Sequence, residues 1–245
     1  MIKGFITSSS KVLIIALLLF FSMNSNSYGQ DVTTNNKSTS EDVNKNAITF
    51  GLAHSMHFTS ITGEFPGINF KKEEIEKDNN KLLEVIHWGT IKWKSMKYAF
   101  NNCKELEIKT EDNPDLSQVT DMEGMFWGAQ KINSNFSAWD TSKVENMKYM
   151  FLGAKNFNGD IKLWDTLEVK NMERMFGFAE NFNQNITYWN TSKVENMNRM
   201  FLGAQNFNRD LSIWKVEKVT NCESFANYIE NWVLPKPNFT NCNPY

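Results

Sequence analysis

Histidine and cysteine are scarce in this chain of 245 residues, three of each, and the histidines, His54, His57 and His87, all precede residue 90. With so few, there is no H-E-x-x-H and no C-x-x-C pair, and neither a Gly-rich phosphate loop nor a nucleophile elbow is present. Metal-dependent, phosphoryl-transfer and hydrolase chemistries therefore lack their usual side chains. His54 and His57, three residues apart, have no acidic partner to complete a site and read as a surface pair. The chain is expected to be no enzyme and to hold no metal or cofactor. An excess of charge is missing too: 26 Lys and Arg against 28 Asp and Glu leave a formal charge of −2, which calls for no nucleic-acid partner.

Long apolar runs are also absent. The longest, "VLIIALLLFF" from Val12 to Phe21, has ten residues, whereas a membrane-spanning helix needs about 20. Lys3 and Lys11 precede it and small polar residues follow as far as "SYGQ", the pattern of a secretory signal peptide cleaved near Gly29 or Gln30. Losing residues 1–30 takes the formal charge from −2 to −4 and leaves no expected membrane span in the mature chain. Residues 31–47 are polar and read as a flexible linker. Residues 48–87 include "ITFGLAHSMHFTSITGEFPGINF", which alternates in strand fashion around turn residues at Gly63-Glu64 and Pro66-Gly67; they are expected to form an N-terminal β cap.

What the chain has in plenty is self-similarity. "NMKYMFLGAKNFN" from Asn146 returns as "NMNRMFLGAQNFN" from Asn196, with a looser copy, "NMERMFGFAENFN", from Asn171, a period of 25 residues. A fixed period of that size marks a stacked repeat array. At this period the apolar residues fall into columns. Val119, Val144, Val169, Val194 and Val219 form one, and Met122, Met147, Met172 and Met197 a second, closed by Cys222. Met125 to Phe225, Phe126 to Phe201, Ile132 to Trp232, and Trp139, Trp164, Trp189 and Trp214 complete the set. Spacings of three and four from valine through methionine to alanine predict a short helical or 3₁₀ turn. Alternation in "NGDIKLW" predicts a short strand with Ile161 and Leu163 pointing inward. The expected fold is therefore α/β: a solenoid over residues 88–233, each coil a strand plus a helical turn, with a parallel sheet on one face. Asn146, Asn171, Asn196 and Asn221, and Asn133, Asn158, Asn183 and Asn208, are expected to stack as structural ladders.

The phrases "FNGDIKLWDTLEVKNMERMF" and "WDTSKVENMKYMF" resemble the BspA-like leucine-rich-repeat surface proteins of bacteria, in particular the subgroup known as the DUF285 repeat. The likeness runs from about Trp88 to Trp232. It implies a leucine-rich-repeat-like solenoid on a secreted or cell-surface protein, with adhesion or recognition as its role and no catalytic residues. The first coil departs from the pattern: Trp88, Met96, Phe100, Cys103 and Leu106 fit, but Pro114 replaces the next tryptophan after one extra residue.

Two surfaces are candidates for binding. The columns Asn135/Asp160/Asn185/Asp210 and Ser137/Lys162/Thr187/Ser212 are expected on the exposed sheet, where they would meet a protein partner. The tryptophan column is either a buried ridge, the favoured reading, or an exposed ladder for the flat faces of a glycan. Cys103 fills an alanine slot and is expected to be small and buried, whereas Cys222 and Cys242 are candidates for a disulfide. Pro235 and Pro237 cannot donate ladder hydrogen bonds, so residues 234–245 are expected to end the array as a cap.

Overall fold

A computed structural model describes residues 82–245 throughout and, ahead of them, the backbone of four short strands. These are β1 (Thr33–Asn35), β2 (Thr49–Leu52), β3 (Met56–Thr59) and β4 (Glu64–Phe65); β5 (Leu82–His87), β6 (Lys92–Trp93) and β7 (Glu107–Ile108) follow. One sheet has the order β1-β3-β2-β5-β7, antiparallel except that β5 and β7 run parallel, and β4 pairs parallel with β6. β1 falls inside the stretch expected to be linker, yet it pairs in register with β3 from Thr33↔Thr59 to Asn35↔His57. The expected signal peptide, His54 and the turn at Pro66-Gly67 lie outside the described residues.

Beyond β7 the period of 25 governs the backbone, but the expected elements do not form. Among the described residues there is no helix, and past residue 108 there is no strand, only single parallel bridges, Lys92 to Asp115 and then Asp121 to Asn146 and on to Asn171, Asn196 and Asn221. The expectation of an α/β solenoid with helical turns and a sheet face is therefore overturned: each coil is a chain of turns.

Hydrogen bonding explains why. Met125, Trp127 and Ala129 donate back three residues to Met122, Gly124 and Phe126, at 3.2, 3.1 and 3.1 Å. The amides between them, those of Met122, Gly124, Phe126 and Gly128, donate instead to Asn146, Lys148, Met150 and Leu152 of the next coil at 2.8–2.9 Å. The first set closes turns and so generates the helix-like spacing of three. The second stitches coil to coil. A helix needs negative φ throughout, and here two columns sit at positive φ. Tyr98, Gly124, Tyr149, Arg174, Arg199 and Ser224 lie at 50 to 59°, and Asn102, Gly128, Gly153, Phe178, Gly203 and Tyr228 at 53 to 71°.

The half-coil expected to be a strand is also a turn. The Asp160 carboxylate accepts the Lys162 amide at 3.0 Å and Trp164 N–H reaches Ile161 O at 3.2 Å, so the polar-apolar alternation reflects an Asx turn. Ile161 is fully buried, but Leu163 is 70% exposed, contrary to the inward position expected for it.

The core runs along the stack. Phe126, Phe151, Phe176 and Phe201 stack at 5.5–5.7 Å with nearly parallel rings, and Phe157, Phe182 and Phe207 make a second file at 5.6–5.8 Å. Each pair of files touches within a coil, Phe151 to Phe157 and Phe176 to Phe182 at 3.8 Å. At the two ends Trp88 and Trp232 turn their rings edge-on to these files, Trp88 against Phe100 and Trp232 against Phe207. No single coil can bury its own apolar face; its neighbours do so.

Candidate interaction surface

Asx chemistry builds the loop that carries the candidate residues. In successive coils the side-chain oxygens of Asn135, Asp160, Asn185 and Asp210 accept the amides of Ser137, Lys162, Thr187 and Ser212 at 2.8, 3.0, 3.2 and 2.9 Å. The two candidate columns are thus partners of one another, in a loop and not on a sheet. Ser212 Oγ also donates to Asp210 at 2.6 Å, Lys162 Nζ lies 3.2 Å from Asp160, and Thr187 Oγ1 donates to Asp210 O at 2.9 Å. The Lys162 amide holds Asp160 below the ordinary carboxylate range, and the Ser212 hydroxyl does the same for Asp210, so both stay ionised near neutrality.

A second Asx turn follows within the same loop. Asp140, Asp165 and Asn190 accept the amides of Ser142, Leu167 and Ser192 at 2.9–3.1 Å. Between the two turns lies a column that the sequence reading missed: Ala138, Leu163, Tyr188 and Ile213, all exposed, the last three at 70, 83 and 60%. Its signal was in the sequence, an apolar residue directly before each of Trp139, Trp164, Trp189 and Trp214. It was hidden by assigning that half-coil to a strand.

The tryptophans themselves are 3–5% exposed. Trp164, Trp189 and Trp214 donate their indole N–H to Phe136, Ile161 and Ile186 carbonyls at 2.8, 3.2 and 3.3 Å. An exposed sugar-binding ladder of Trp139, Trp164, Trp189 and Trp214 is therefore overturned, because the ring faces are spent on the core. Thr141, Thr166 and Thr191, directly after the second Asx position, are also buried and bond the next coil's backbone at Asp165, Asn190 and Lys215.

Elsewhere the polar columns act between coils. Asn158, Asn183, Asn208 and Val233 donate their amides to the side chains of Asn133, Asn158, Asn183 and Asn208 at 2.8–3.1 Å. A half-buried cluster joins Lys148 Nζ and Tyr149 OH to Glu173, each at 2.8 Å, and repeats as Lys97 and Tyr98 on Glu123. Burial pulls Glu173 upward, but the Lys148 ammonium and Tyr149 hydroxyl outweigh it and hold the carboxyl below its ordinary range.

At the C-terminal end Cys222 and Cys242 form a disulfide, Cα atoms 5.8 Å apart, and Cys103 is free and buried. His87 lies 2.9 Å from Asp112, whose carboxylate also accepts the Trp88 and Gly89 amides. Among the described residues no group of three or more His, Cys, Asp and Glu is placed to hold a metal ion, and no helix is long and apolar enough to cross a membrane.

Comparison with known proteins places the repeats in context. A family model described as "Mycoplasma protein of unknown function, DUF285" matches residues 94–187 and 160–236, which together cover more than half of the chain. No curated protein and no solved structure matches.

Proposed function

The chain belongs to the DUF285 family, and on that premise we propose that it is a secreted or cell-surface repeat protein of the BspA-like kind, a non-catalytic module for protein interaction or adhesion. One observation carries the reading: the exposed column of Ala138, Leu163, Tyr188 and Ile213, framed by Asx turns that fix its loops. A monomer seldom leaves aligned apolar side chains bare without use for them. The Asn/Asp and Ser/Lys/Thr columns beside it supply the polar rim of such a surface. The signal-peptide pattern of residues 1–30 supports export.

Two readouts on intact producing cells test this. Protease added outside should release peptides from residues 82–245 without lysis. Labelled protein should bind the cells and be displaced by unlabelled parent but not by Tyr188→Asp. Peptides that appear only after lysis would sink the surface location. Equal displacement by Tyr188→Asp would sink the face.

A further inference from the structure

Resting on that same face, we infer that its partner is a second copy of this chain, docked through a two-fold axis that crosses the stack at right angles between the coils of Leu163 and Tyr188. Such an axis, lying in the interface, sets every column against itself in reverse order. Leu163 then meets the partner's Tyr188, and Ala138, the smallest of the column, meets the partner's Ile213. The flanking columns decide the register. In the column Asp140, Asp165, Asn190, Lys215 the reversal places Asp140 against the partner's Lys215 and Asp165 against the partner's Asn190. In the column Asn135, Asp160, Asn185, Asp210 it places each carboxylate against an amide, Asp160 against the partner's Asn185 and Asp210 against the partner's Asn135. No two carboxylates of these columns oppose one another, while two Asp–Lys pairs form across the axis.

The alternative two-fold, along the stack, sets each flank against the opposite flank in the same order. It also forms two Asp–Lys pairs, Asp210 against the partner's Lys215, but it drives Asp160 against the partner's Asp165, twice over, and that like-charge repulsion disfavours it. The reversed register has one cost, Lys143 against the partner's Lys218 at the outer margin, set against Glu168 facing the partner's Lys193 in the same column. With coils repeating about every 5 Å, four coils make a short interface, so the dimer is small and of roughly micromolar affinity. Tyr188 supplies its anchor, the type of side chain that dominates such contacts.

Sedimentation of the purified protein over a concentration series, with melting temperature recorded for every variant, tests the inference. The parent should shift from monomer to dimer with concentration, and Tyr188→Asp should sediment as monomer. Asp140→Lys and Lys215→Asp should each weaken the dimer about tenfold. Lys215→Asp places a residue that the column already uses in another coil, whereas Asp140→Lys also removes the acceptor of the Ser142 amide, so recovery on mixing separates lost charge pairing from a disturbed loop. Combining them in one chain, or mixing the two single variants, should restore association to near the parent's strength. A parent monomeric up to about 100 μM, more than tenfold above the affinity expected for so small an interface, would overturn the dimer. A dimer that survives Tyr188→Asp would overturn the face, and a double variant as weak as the singles would overturn the register. Should Tyr188→Asp lower the melting temperature, Leu163→Glu provides the same readout from the opposing position. None of these outcomes bears on binding to cells, so the wider reading stands or falls separately.

Discussion

Gly159 has no room for a side chain: an added Cβ would stand 1.9 Å from the Ser134 carbonyl oxygen. Gly153 has room, its nearest neighbour lying 4.0 Å away, and only its φ of +69° disfavours other residues. Phe178 and Tyr228 occupy the equivalent place in later coils at 53 and 60°. Gly159→Ala should therefore cost about 1–3 kcal/mol through overpacking, and Gly153→Asn well under 1. Urea unfolding of the two variants orders them, and equal losses would show that the backbone beside Ser134 yields freely. Thr166 allows a sharper test. Its buried hydroxyl is bonded to Asn190 O at 3.0 Å, so Thr166→Val keeps the shape and strands an acceptor. A loss of about 1–3 kcal/mol is expected, recovered in good part by Thr166→Ser, which keeps the hydroxyl. If Val and Ser were equivalent in urea unfolding, the threonine column would matter only as filling.

At the scale of the element, the coil shows what can be read from the letters and what cannot. The apolar columns, the period and the Asn ladders were legible because they depend on which residues return at the same height. The element type was not, because spacings of three arise equally from a helix and from successive turns closed three residues back. What separates them is the positive φ at Tyr149, Arg174 and Arg199, residue types that give no warning of it. Asp and Asn at 135, 140 and 160 carried the missing message: Asx turns occupy the half-coil where the alternation of Ile161 and Leu163 suggested a strand. That same misreading hid the exposed column, the part of the candidate surface least legible in advance. Charge along the coils makes a pH prediction. Since Glu173 has its pKa lowered on folding, its contribution is present above the unfolded value of about 4.3 and is lost as the pH falls through the lower folded value. Melting temperature should thus decline in acid below about pH 4.5, less steeply in Glu173→Gln, which should itself cost about 1 kcal/mol at pH 7. An unchanged acid slope in that variant would assign the acid sensitivity to other carboxylates.

On the scale of the whole molecule, a stack of coils has two open ends, and each must be closed or it will join another. β5 meets β7 at one end, Val85 opposite Ile108, and at the other the last twelve residues fold back over the final coil. Leu211 donates to Pro235 O at 2.9 Å and Phe225 to Pro244 O at 3.1 Å, so the tail takes the bonding role a further coil would have had. Phe239 sets its ring edge-on to Phe225 at 4.9 Å, covering the end of the aromatic file, and the Cys222–Cys242 bond ties the tail in place across 20 residues. On the chain-entropy estimate a loop of that size contributes about 3 kcal/mol, which Cys242→Ser should lose while leaving the protein monodisperse in conditions where the parent is monomeric. Deleting everything after Trp232 removes the bond, Phe239 and both carbonyl acceptors together. That variant should associate end to end, giving light scattering that grows with time at fixed concentration and persists when Tyr188→Asp is added, since the surface involved is the open coil and not the loop face. A truncated chain that scattered no more than Cys242→Ser and melted with it would show that the disulfide, and not the covering of the last coil, is all that the tail provides.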